Sequence, residues 1–345
     1  MKRAMLIALA ASAAGPLAAE ELAVVGSWSG LPLHKEYEAP FWTETLPRET
    51  GGALTATLTT HDQMGIQGSD VYRMLGQGVF DVGMTVADYA VADAPELEGL
   101  DVPMIAMEAA KARETVEAAK PMVEDIYADA FNAKALAIAP YPPQVVFCNA
   151  PIESLADLEG KKVRASGRMT AKLLDALGAE GVTIGFGEVP GALQRGVVDC
   201  AVTGAGSGYN AGWWEVSTHL LPIPLGGWDP VVVAMNMDAW NGLSTEEQDQ
   251  LASLLESEFE APAWAAAQDA LETDIACLTG EGGGCPAGPA RDMSLVEASQ
   301  ADMERARAAL LDEVLPDWAD RAGEDWARRW NESVGRVAGV QIPLE

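Results

Sequence analysis

One arginine stands out in a strongly acidic chain. The stretch LEGKKVRASG (Leu158–Gly167) predicts a turn and then a strand that begins near Val163, so Arg164 comes where this strand opens toward a glycine-containing loop. A guanidinium in that place can hold a carboxylate through two parallel hydrogen bonds, a geometry that lysine does not reproduce. A salt bridge to one of the many neighbouring acidic residues is the alternative use of the same side chain.

The sequence does not match the common catalytic and metal-binding motifs. The loop GAGSGYNAG has Tyr209 where a dinucleotide-binding loop needs its third glycine, and Ser207 lacks the glycines that flank a nucleophilic serine. The histidines are scattered without the spacing of a zinc site. We therefore expect no enzymatic activity. The alternative is an exported enzyme acting on a small organic acid, with Asp88 or Asp229 and Tyr209 as acid and base.

Aromatic residues follow the same glycine-rich loop. Tyr209, Trp213 and Trp214 can stack on the apolar or aromatic body of a ligand. The alternative is that they pack an amphipathic helix against the rest of the protein.

A repeated unit provides the elements that position these residues. LGQGVFDVGMTV (Leu75–Val86) and LQRGVVDCAVTG (Leu193–Gly204) start 118 residues apart and share the same pattern. Each predicts a short helix that ends at a glycine, followed by a strand with an aspartate at its start. Two α/β units of similar design predict two α/β lobes. We expect both aspartates, Asp81 and Asp199, to bind turn amides rather than a ligand.

The C-terminal third of the chain is predicted to be mainly helical. Ser244 to Glu247 form a capping box for a long helix that reaches about Leu278, with a kink at Pro262. Two amphipathic helices are predicted to follow.

Charge and the N-terminal residues restrict location and partners. The 345 residues carry a net charge of −30, which repels nucleic acid and anionic membrane surfaces. Lys2 and Arg3, an apolar run from Ala4 to Leu17 and two alanines predict a signal peptide over residues 1–19, and hence a periplasmic protein. No later segment offers about 20 apolar residues, so we expect no direct membrane insertion.

Four cysteines in an exported chain permit disulfides. Cys277 and Cys285 bracket the flexible loop LTGEGGG, and we expect a bridge between them. Cys148 and Cys200 are the remaining pair. Each lies in an apolar, strand-like run, where a buried free thiol fits equally well.

Two stretches carry a family resemblance. PIESLADLEGKKVRASG and the following GEVPGALQRGVVDCAVTG resemble signatures of the solute-binding proteins of tripartite ATP-independent periplasmic (TRAP) transporters, most strongly over Pro151–Gly204. The resemblance implies an α/β, type II-like periplasmic binding protein with two lobes, crossing hinge strands and a long C-terminal helix. It also implies a small organic anion and the TRAP membrane subunits as partners. We expect lobe I to comprise residues 20–143 plus about 232–270, and lobe II 144–231 plus about 271–345.

The resemblance also implies roles for single residues. Arg164 is expected to clamp the ligand carboxylate. Gln144 stands where many members carry a second arginine, and Thr203 where many carry an asparagine. One ligand-facing charge is therefore missing, which favours a monocarboxylate, such as a keto, hydroxy or aromatic acid, over a dicarboxylate or sialic acid.

One branch of this family, which binds keto and hydroxy acids, shares further features with the chain. It has glutamine at the Gln144 position, a Gly-Trp-x-Glu segment that resembles the stretch around Trp228 and Asp229, and sometimes a bound Na⁺ or Ca²⁺. Its tyrosine-bearing loop resembles ADYAVADAP, which places Tyr89 near the cleft. Val202 stands where the branch usually has an acidic residue, so we expect no cofactor and no firm metal site. Gln144 and Asp229 are the candidate ligands if a cation bridges the bound acid.

A ligand-binding subunit of a membrane sensor has the same fold and is a further alternative to a transport protein.

Overall fold

Two mixed β-sheets organise the chain. The computed structural model describes residues 20–281, 283–286 and 288–344. The predicted signal peptide, residues 1–19, lies outside the described residues.

The first sheet has the strand order β2-β1-β3-β10-β4. Its strands are β1 (Glu20–Gly26), β2 (Leu54–Thr60), β3 (Val82–Val86), β4 (Ala133–Ala139) and β10 (Val231–Asn236). Strands β2, β1 and β3 are parallel, whereas β10 runs antiparallel to both β3 and β4.

The second sheet has the order β11-β9-β5-β8-β6-β7. Its strands are β5 (Gln144–Cys148), β6 (Lys162–Ala165), β7 (Glu180–Thr183), β8 (Cys200–Gly204), β9 (His219–Leu221) and β11 (Ser294–Leu295). Strands β7, β6 and β8 are parallel and β5 is antiparallel to β8. The order β7-β6-β8-β5 therefore repeats the directions of β2-β1-β3-β10, and the two copies of the sequence unit occupy equivalent places.

The repeated unit shows the same contacts in both sheets. In each copy the glycine before the strand has a positive φ, 70° and 66°, which glycine adopts without strain. Asp81 accepts a hydrogen bond from the backbone amide of Ala23 at 2.7 Å, and Asp199 accepts one from the amide of Lys162 at 2.9 Å. Both aspartates thus tie the start of their own strand to the neighbouring parallel strand. They thus bind backbone amides, but these amides belong to strands and not to the predicted turns.

Helices cover the faces of both sheets. The α-helices are α1 (Leu46–Glu49), α2 (Val71–Gly76), α3 (Ala109–Phe131), α4 (Arg168–Ala176), α5 (Val189–Gln194), α6 (Ala205–Asn210), α7 (Met237–Gly242), α8 (Thr245–Leu254), α9 (Ala261–Ala266), α10 (Ala270–Thr279), α11 (Gln300–Ala309), α12 (Leu315–Ala322), α13 (Glu324–Trp330) and α14 (Arg336–Ala338). Wider π-type turns form Leu33–Glu38, Phe41–Thr45, Leu255–Glu260, Leu310–Val314 and Asn331–Gly335. Single 3₁₀ turns form Gly68–Asp70, Ala87–Ala90, Pro95–Leu100, Leu155–Leu158, Phe186–Glu188 and Trp213–Glu215. Within the described ranges, none of the helices is both long and apolar enough to cross a membrane.

The predicted capping box is confirmed, but the helix that it starts is interrupted. The Ser244 hydroxyl accepts from the Glu247 amide at 3.3 Å, and the Glu247 carboxylate accepts from the Ser244 amide at 2.8 Å. The helix continues through a π-type turn into α9, ends at Ala266 and resumes at Ala270. A wider turn, Leu255–Glu260, lies just before Pro262, which has no amide to donate, and the predicted kink at this proline stays a prediction.

Two short segments connect the sheets. Residues 140–143 lead from β4 to β5, and residues 222–230 lead from β9 back to β10. The segments bond to each other, since the amide of Tyr141 donates to the carbonyl of Trp228 at 2.8 Å and that of Gln144 donates to Gly227 at 3.2 Å. These two crossing segments connect the two sheets.

The helices from α11 onward contact elements of both halves. The indole nitrogens of Trp318 and Trp330 donate to the carbonyls of Pro95 and Gly99, at 3.0 and 2.8 Å. Before them, Arg305 donates to the carbonyl at the end of α4 at 3.0 Å. The exact division of the C-terminal residues between two lobes stays a prediction.

Both cysteine pairs form disulfides in the structure. Cys277 and Cys285, which are eight positions apart in the sequence, are bonded as predicted. Cys148 and Cys200 face each other across the β5–β8 pair and are also bonded, which settles the choice that their sequence context left open.

A partly buried carboxylate on α10 offers a test of stability. Burial raises the pKa of Asp274 to about 6, above the ordinary value of 3.8. The native state therefore binds more protons than the unfolded chain between these values, and stability falls as the pH rises through this window. We expect Asp274→Asn to stabilise the protein at pH 7.5 by on the order of 3 kcal/mol, and to have almost no effect near pH 4. Thermal melts at both pH values measure this. An equal gain from the exposed Asp249→Asn would contradict it.

Candidate ligand-binding site

The carboxyl ends of the parallel strands of both sheets meet at one boundary. Trp28 follows β1 and Tyr89 follows β3, whereas Arg164 lies near the end of β6 and Phe186 follows β7. The ring centroids of Trp28 and Phe186 are 5.7 Å apart, so the two edges are in contact. Ligands of α/β proteins bind outside the carboxyl ends of strands, which makes this boundary the candidate site.

Arg164 is held at this boundary by backbone carbonyls. Its side chain is only 1% exposed. Its Nε donates to the carbonyl of Ile184 at 2.8 Å, and its Nη1 donates to that of Val202 at 2.7 Å. Ile184 directly follows β7, and Val202 lies in the middle of β8, so the two carbonyls come from the strands on either side of β6. The remaining nitrogen, Nη2, is buried and has no hydrogen-bond partner among the described residues.

The Arg164 guanidinium is thus a cation that two carbonyls hold in place and whose Nη2 can donate a hydrogen bond to a ligand. All hydrogen bonds that Arg164 makes to described residues go to carbonyl oxygens and none to a carboxylate. Burial lowers the pKa of Arg164 from its ordinary value, while Tyr89 and Asp229 oppose the change. An arginine in a protein nevertheless keeps its proton. The buried charge therefore calls for an anion that the described residues do not supply at bonding distance.

Aromatic rings from both halves surround the arginine. Trp28 contacts Tyr89 edge-on, with centroids 5.6 Å apart, and Phe186 stacks on Trp213 at 5.4 Å. The Arg164 guanidinium lies 5.7 Å from the centre of the Trp213 ring. A cavity of about 360 Å³ opens beside these rings and is lined by Trp28, Tyr89 and Phe186. Rings of this kind stack well on a flat or apolar ligand body.

Polar side chains without partners lie close to the arginine. Gln144 and Ser166 are 0% and 3% exposed, yet both amide atoms of Gln144 and the hydroxyl of Ser166 lack hydrogen-bond partners in the described part of the chain. Beside them, burial raises the pKa of Asp229 to about 6, although Arg164, Ser166 and Gln144 each act to lower it. Buried polar atoms are nearly always paired in native proteins, so this set points to a bound molecule or ion.

Three carboxylates form a cluster next to this set. Oxygens of Asp88, Asp101 and Asp229 all lie within 4.8 Å of one another. Burial, and then repulsion from neighbouring carboxylates, raise the pKa values of Asp88 and Asp101 well above the ordinary range. One oxygen of Asp101 accepts from the amides of Trp228 and Asp229, at 2.6 and 3.0 Å.

The structure brings some of the predicted site residues together. Tyr89, Asp229 and Trp213 lie near Arg164, and Gln144 lies beside Asp229. Thr203 is buried on β8, directly after the residue whose carbonyl Arg164 binds. The ligand contacts of these residues stay predictions.

Two other predicted site residues make contacts elsewhere. The indole of Trp228 packs on Trp264, with centroids 5.9 Å apart, and donates to the carbonyl of Ala106 at 2.8 Å. The hydroxyl of Tyr209 donates to the carbonyl of Pro289 at 2.8 Å, and its ring lies under Arg291. For both side chains the contacts observed are packing contacts.

Sequence reasoning missed several residues of the boundary. Trp28, Ser166 and Phe186 were not predicted, and Asp101 was not considered. A usable signal exists for Trp28 and Ser166, since each comes within two residues of the end of a strand that enters the boundary. Phe186 and Asp101 lie in turns with no comparable pattern.

Comparison with known proteins identifies the family. A model of the DctP family, the bacterial extracellular solute-binding protein family 7, matches residues 29–307. The chain belongs to this family. The predicted membership among TRAP solute-binding proteins is thereby confirmed, and family 7 proteins are solute-binding receptors.

Relatives and solved structures agree with this assignment. The ectoine-binding periplasmic protein TeaA of Halomonas elongata is 31% identical over 133 residues, which is 38% of either chain. The match thus spans well under half the length of that relative. A crystal structure of DctP7, a Bordetella pertussis extracytoplasmic solute receptor binding pyroglutamic acid, covers 92% of this chain and 99% of its own, with a TM-score of 0.79 and 20% identity. The structure of the ectoine-binding protein from the TeaABC TRAP transporter has a TM-score of 0.80 at 17% identity, covering 93% and 100%. These structures show the same fold, so the predicted two-lobed α/β class is confirmed for the family 7 chain.

Proposed function

We propose that the chain is the periplasmic receptor of a TRAP transporter and that it captures a small organic monocarboxylate with Arg164. The observation that carries the proposal is the free Nη2 of a buried guanidinium at the boundary of the two halves. A carboxylate that accepts from this nitrogen would neutralise the buried charge, which is the strongest interaction that the site can offer a small acid.

The rest of the site supports one carboxylate rather than two. Gln144 and Thr203 are neutral, and the acidic Asp229 lies close to Arg164. A second carboxylate on the ligand would therefore meet no second cation among these residues. The Bordetella protein with the same fold binds pyroglutamic acid, a small ring with one acid group.

The aromatic rings support a compact ligand with a flat or apolar body. Trp28 and Tyr89 come from the first sheet, and Phe186 and Trp213 from the second. A ligand between them would touch both halves at once. It would thus bind the closed form of the protein better than an open one, which is the differential affinity that a closing receptor needs. A keto, hydroxy or aromatic acid fits this description.

In this role the protein carries no catalytic activity and needs no cofactor for its carboxylate contact. It takes up the acid after export by its signal peptide and delivers it to the TRAP membrane subunits. The large negative charge of the chain acts against anions at long range, but salt screens such fields beyond about 8 Å, so that local contacts decide binding.

A matched panel of solutes tests the function. We expect at least one small monocarboxylate to raise the thermal midpoint, because micromolar binding at 1 mM ligand adds about 3 to 4 kcal/mol of stability. Its uncharged amide is expected to give no shift, since Nη2 then loses its charged partner. Thermal shift followed by calorimetry measures this for pyruvate, lactate, pyroglutamate and benzoate with their amides, and for succinate. Equal binding of an acid and its amide, or binding of neutral solutes only, would refute the proposal. Turnover of a bound acid would favour an enzyme instead.

A further inference from the structure

A second cavity, of about 290 Å³, lies where one crossing segment meets helices of both halves. Pro140 and Pro142 come from the segment that leads from β4 to β5. Leu33 packs in the apolar core of the first sheet, and Tyr209, on α6, packs in that of the second. Both halves therefore form the walls of this cavity.

The second cavity is separate from the proposed acid site. Asn210 lines both cavities, but Trp28, Tyr89 and Phe186 line only the one at the acid site. Arg164 is not among the described residues that line the second cavity. The capture of an acid by Arg164 thus leaves this second space without a role.

The wall of the second cavity is mostly apolar and its charged groups are all acidic. Four prolines, four alanines and Leu33 line it. Glu36, Asp269 and Asp274 line it as well, and no lysine, arginine or histidine stands among the described lining residues. Ligand pockets are typically apolar, with a small number of polar groups that orient the ligand. An anion would meet only like charges here, so the wall favours a neutral or cationic molecule.

Asp274 is the acidic residue that lies deepest in this wall. Glu36 and Asp269 are exposed, whereas Asp274 is partly buried. Its carboxylate lies against Gly206 of α6, where an added methyl group would collide with it. Burial raises the pKa of Asp274 to about 6, and no hydrogen bond or ion pair from a described residue opposes this rise. The carboxylate is therefore ionised at pH 7.5 without a partner, which is unfavourable for a partly buried charge.

We propose that the cavity around Asp274 is a second binding site, which takes a small organic molecule with an apolar body and one protonated amine. The ammonium group donates a charge-assisted hydrogen bond to the Asp274 carboxylate, which removes the cost of its isolation. The apolar body fills the space between the prolines and alanines. Because known ligand pockets start at about 300 Å³, a molecule with a single ring is the size that fits.

This site does not depend on the proposed function. None of its residues is assigned to the organic acid, and the measurements below are made without one. Loss of acid binding in an Arg164 variant would leave the amine result standing, and the reverse also holds.

The test compares ring amines with their uncharged counterparts. Calorimetry on the full chain at pH 7.5 uses benzylamine and cyclohexylamine, both protonated at this pH, with benzyl alcohol and cyclohexanol as the neutral molecules of the same shape. Potassium chloride at 150 mM screens the general attraction of cations to the acidic surface. We expect one equivalent of at least one amine to bind with a Kd at or below about 1 mM, and its alcohol to bind at least about tenfold more weakly. Absence of saturable binding by both amines, or equal affinity for amine and alcohol, would overturn the proposal.

Two substitutions and a control locate the amine. Asp274→Asn is expected to weaken its binding at least about tenfold, to the level of the alcohol, because the charged partner is gone. This variant is also expected to be more stable at pH 7.5, so unfolding does not explain a loss of binding. Ala270→Leu fills part of the cavity and is expected to weaken binding to a similar degree. The exposed Asp249→Asn removes the same charge from the surface of α8 and is expected to leave the affinity unchanged. Equal affinities of Asp274→Asn and Asp249→Asn would show that the amine does not bind at Asp274.

Discussion

Replacing Arg164 by alanine is expected to weaken binding of the cognate acid by about 10² to 10³-fold, which takes a micromolar ligand out of the measurable range. The ligand carboxylate would lose its charge-assisted hydrogen bond and would be buried without a cation. Arg164→Lys is expected to lose at least about tenfold, since an ammonium cannot reach the carbonyls of Ile184 and Val202 and the ligand together. Calorimetry with the best acid of the panel measures both.

The ligand-free Arg164→Ala protein is expected to melt within a few degrees of the unmodified one. Loss of two hydrogen bonds to carbonyls destabilises it, but the cost of burying a charge, visible in the lowered pKa of Arg164, disappears as well. The control is Arg195→Ala, which removes one positive charge from the exposed surface of the same half. Near-normal affinity of the alanine variant, or an equal loss in the control, would show that Arg164 is not the clamp.

Gly167→Ala is expected to weaken acid binding by about 10 to 100-fold without direct contact with the ligand. Gly167 follows β6 in the second half, and a methyl group there would collide with the carboxylate of Asp88 from the first half. Its φ of −133° suits alanine, so the backbone itself is not strained. We therefore expect the methyl group to push the two halves apart at this contact, which makes the closed form less favourable.

The measurements for this variant are calorimetry for affinity and small-angle scattering for shape. With saturating acid, the unmodified protein is expected to contract and Gly167→Ala to contract less. Gly242→Ala is the matched control, because a methyl group there meets no atom within 4 Å. Unchanged affinity in Gly167→Ala would show that closure at this point does not contribute to binding. A large fall in its ligand-free thermal midpoint would mean that the effect is one of folding.

Some of the site was predictable from local sequence. Arg164 was predicted from its place at the end of a strand and from the GKKVR motif, and it lies in the boundary. Tyr89, Gln144 and Asp229 were placed there only through the family resemblance. Periodicity alone does not say which sheet edge a loop joins, because that depends on strand order.

Other residues could not be assigned in this way. Tyr209 and Trp228 belong to segments that do approach the boundary, but their rings turn toward Arg291 and Trp264. Which face of a short segment is buried depends on what packs against it, and sequence spacing over a few residues does not determine this. Phe186 was missed for the same reason.

The sequence by itself determined the repeated helix–glycine–strand unit, the strand that carries Arg164 and the capping box at Ser244. These are local features, since each depends on residues close together in the chain. Only the tertiary structure decided that Cys148 pairs with Cys200 and that Asp88, Asp101 and Asp229 share one small volume. Contacts between residues this far apart follow from strand order and from the two crossing segments, and local propensities carry no information about either.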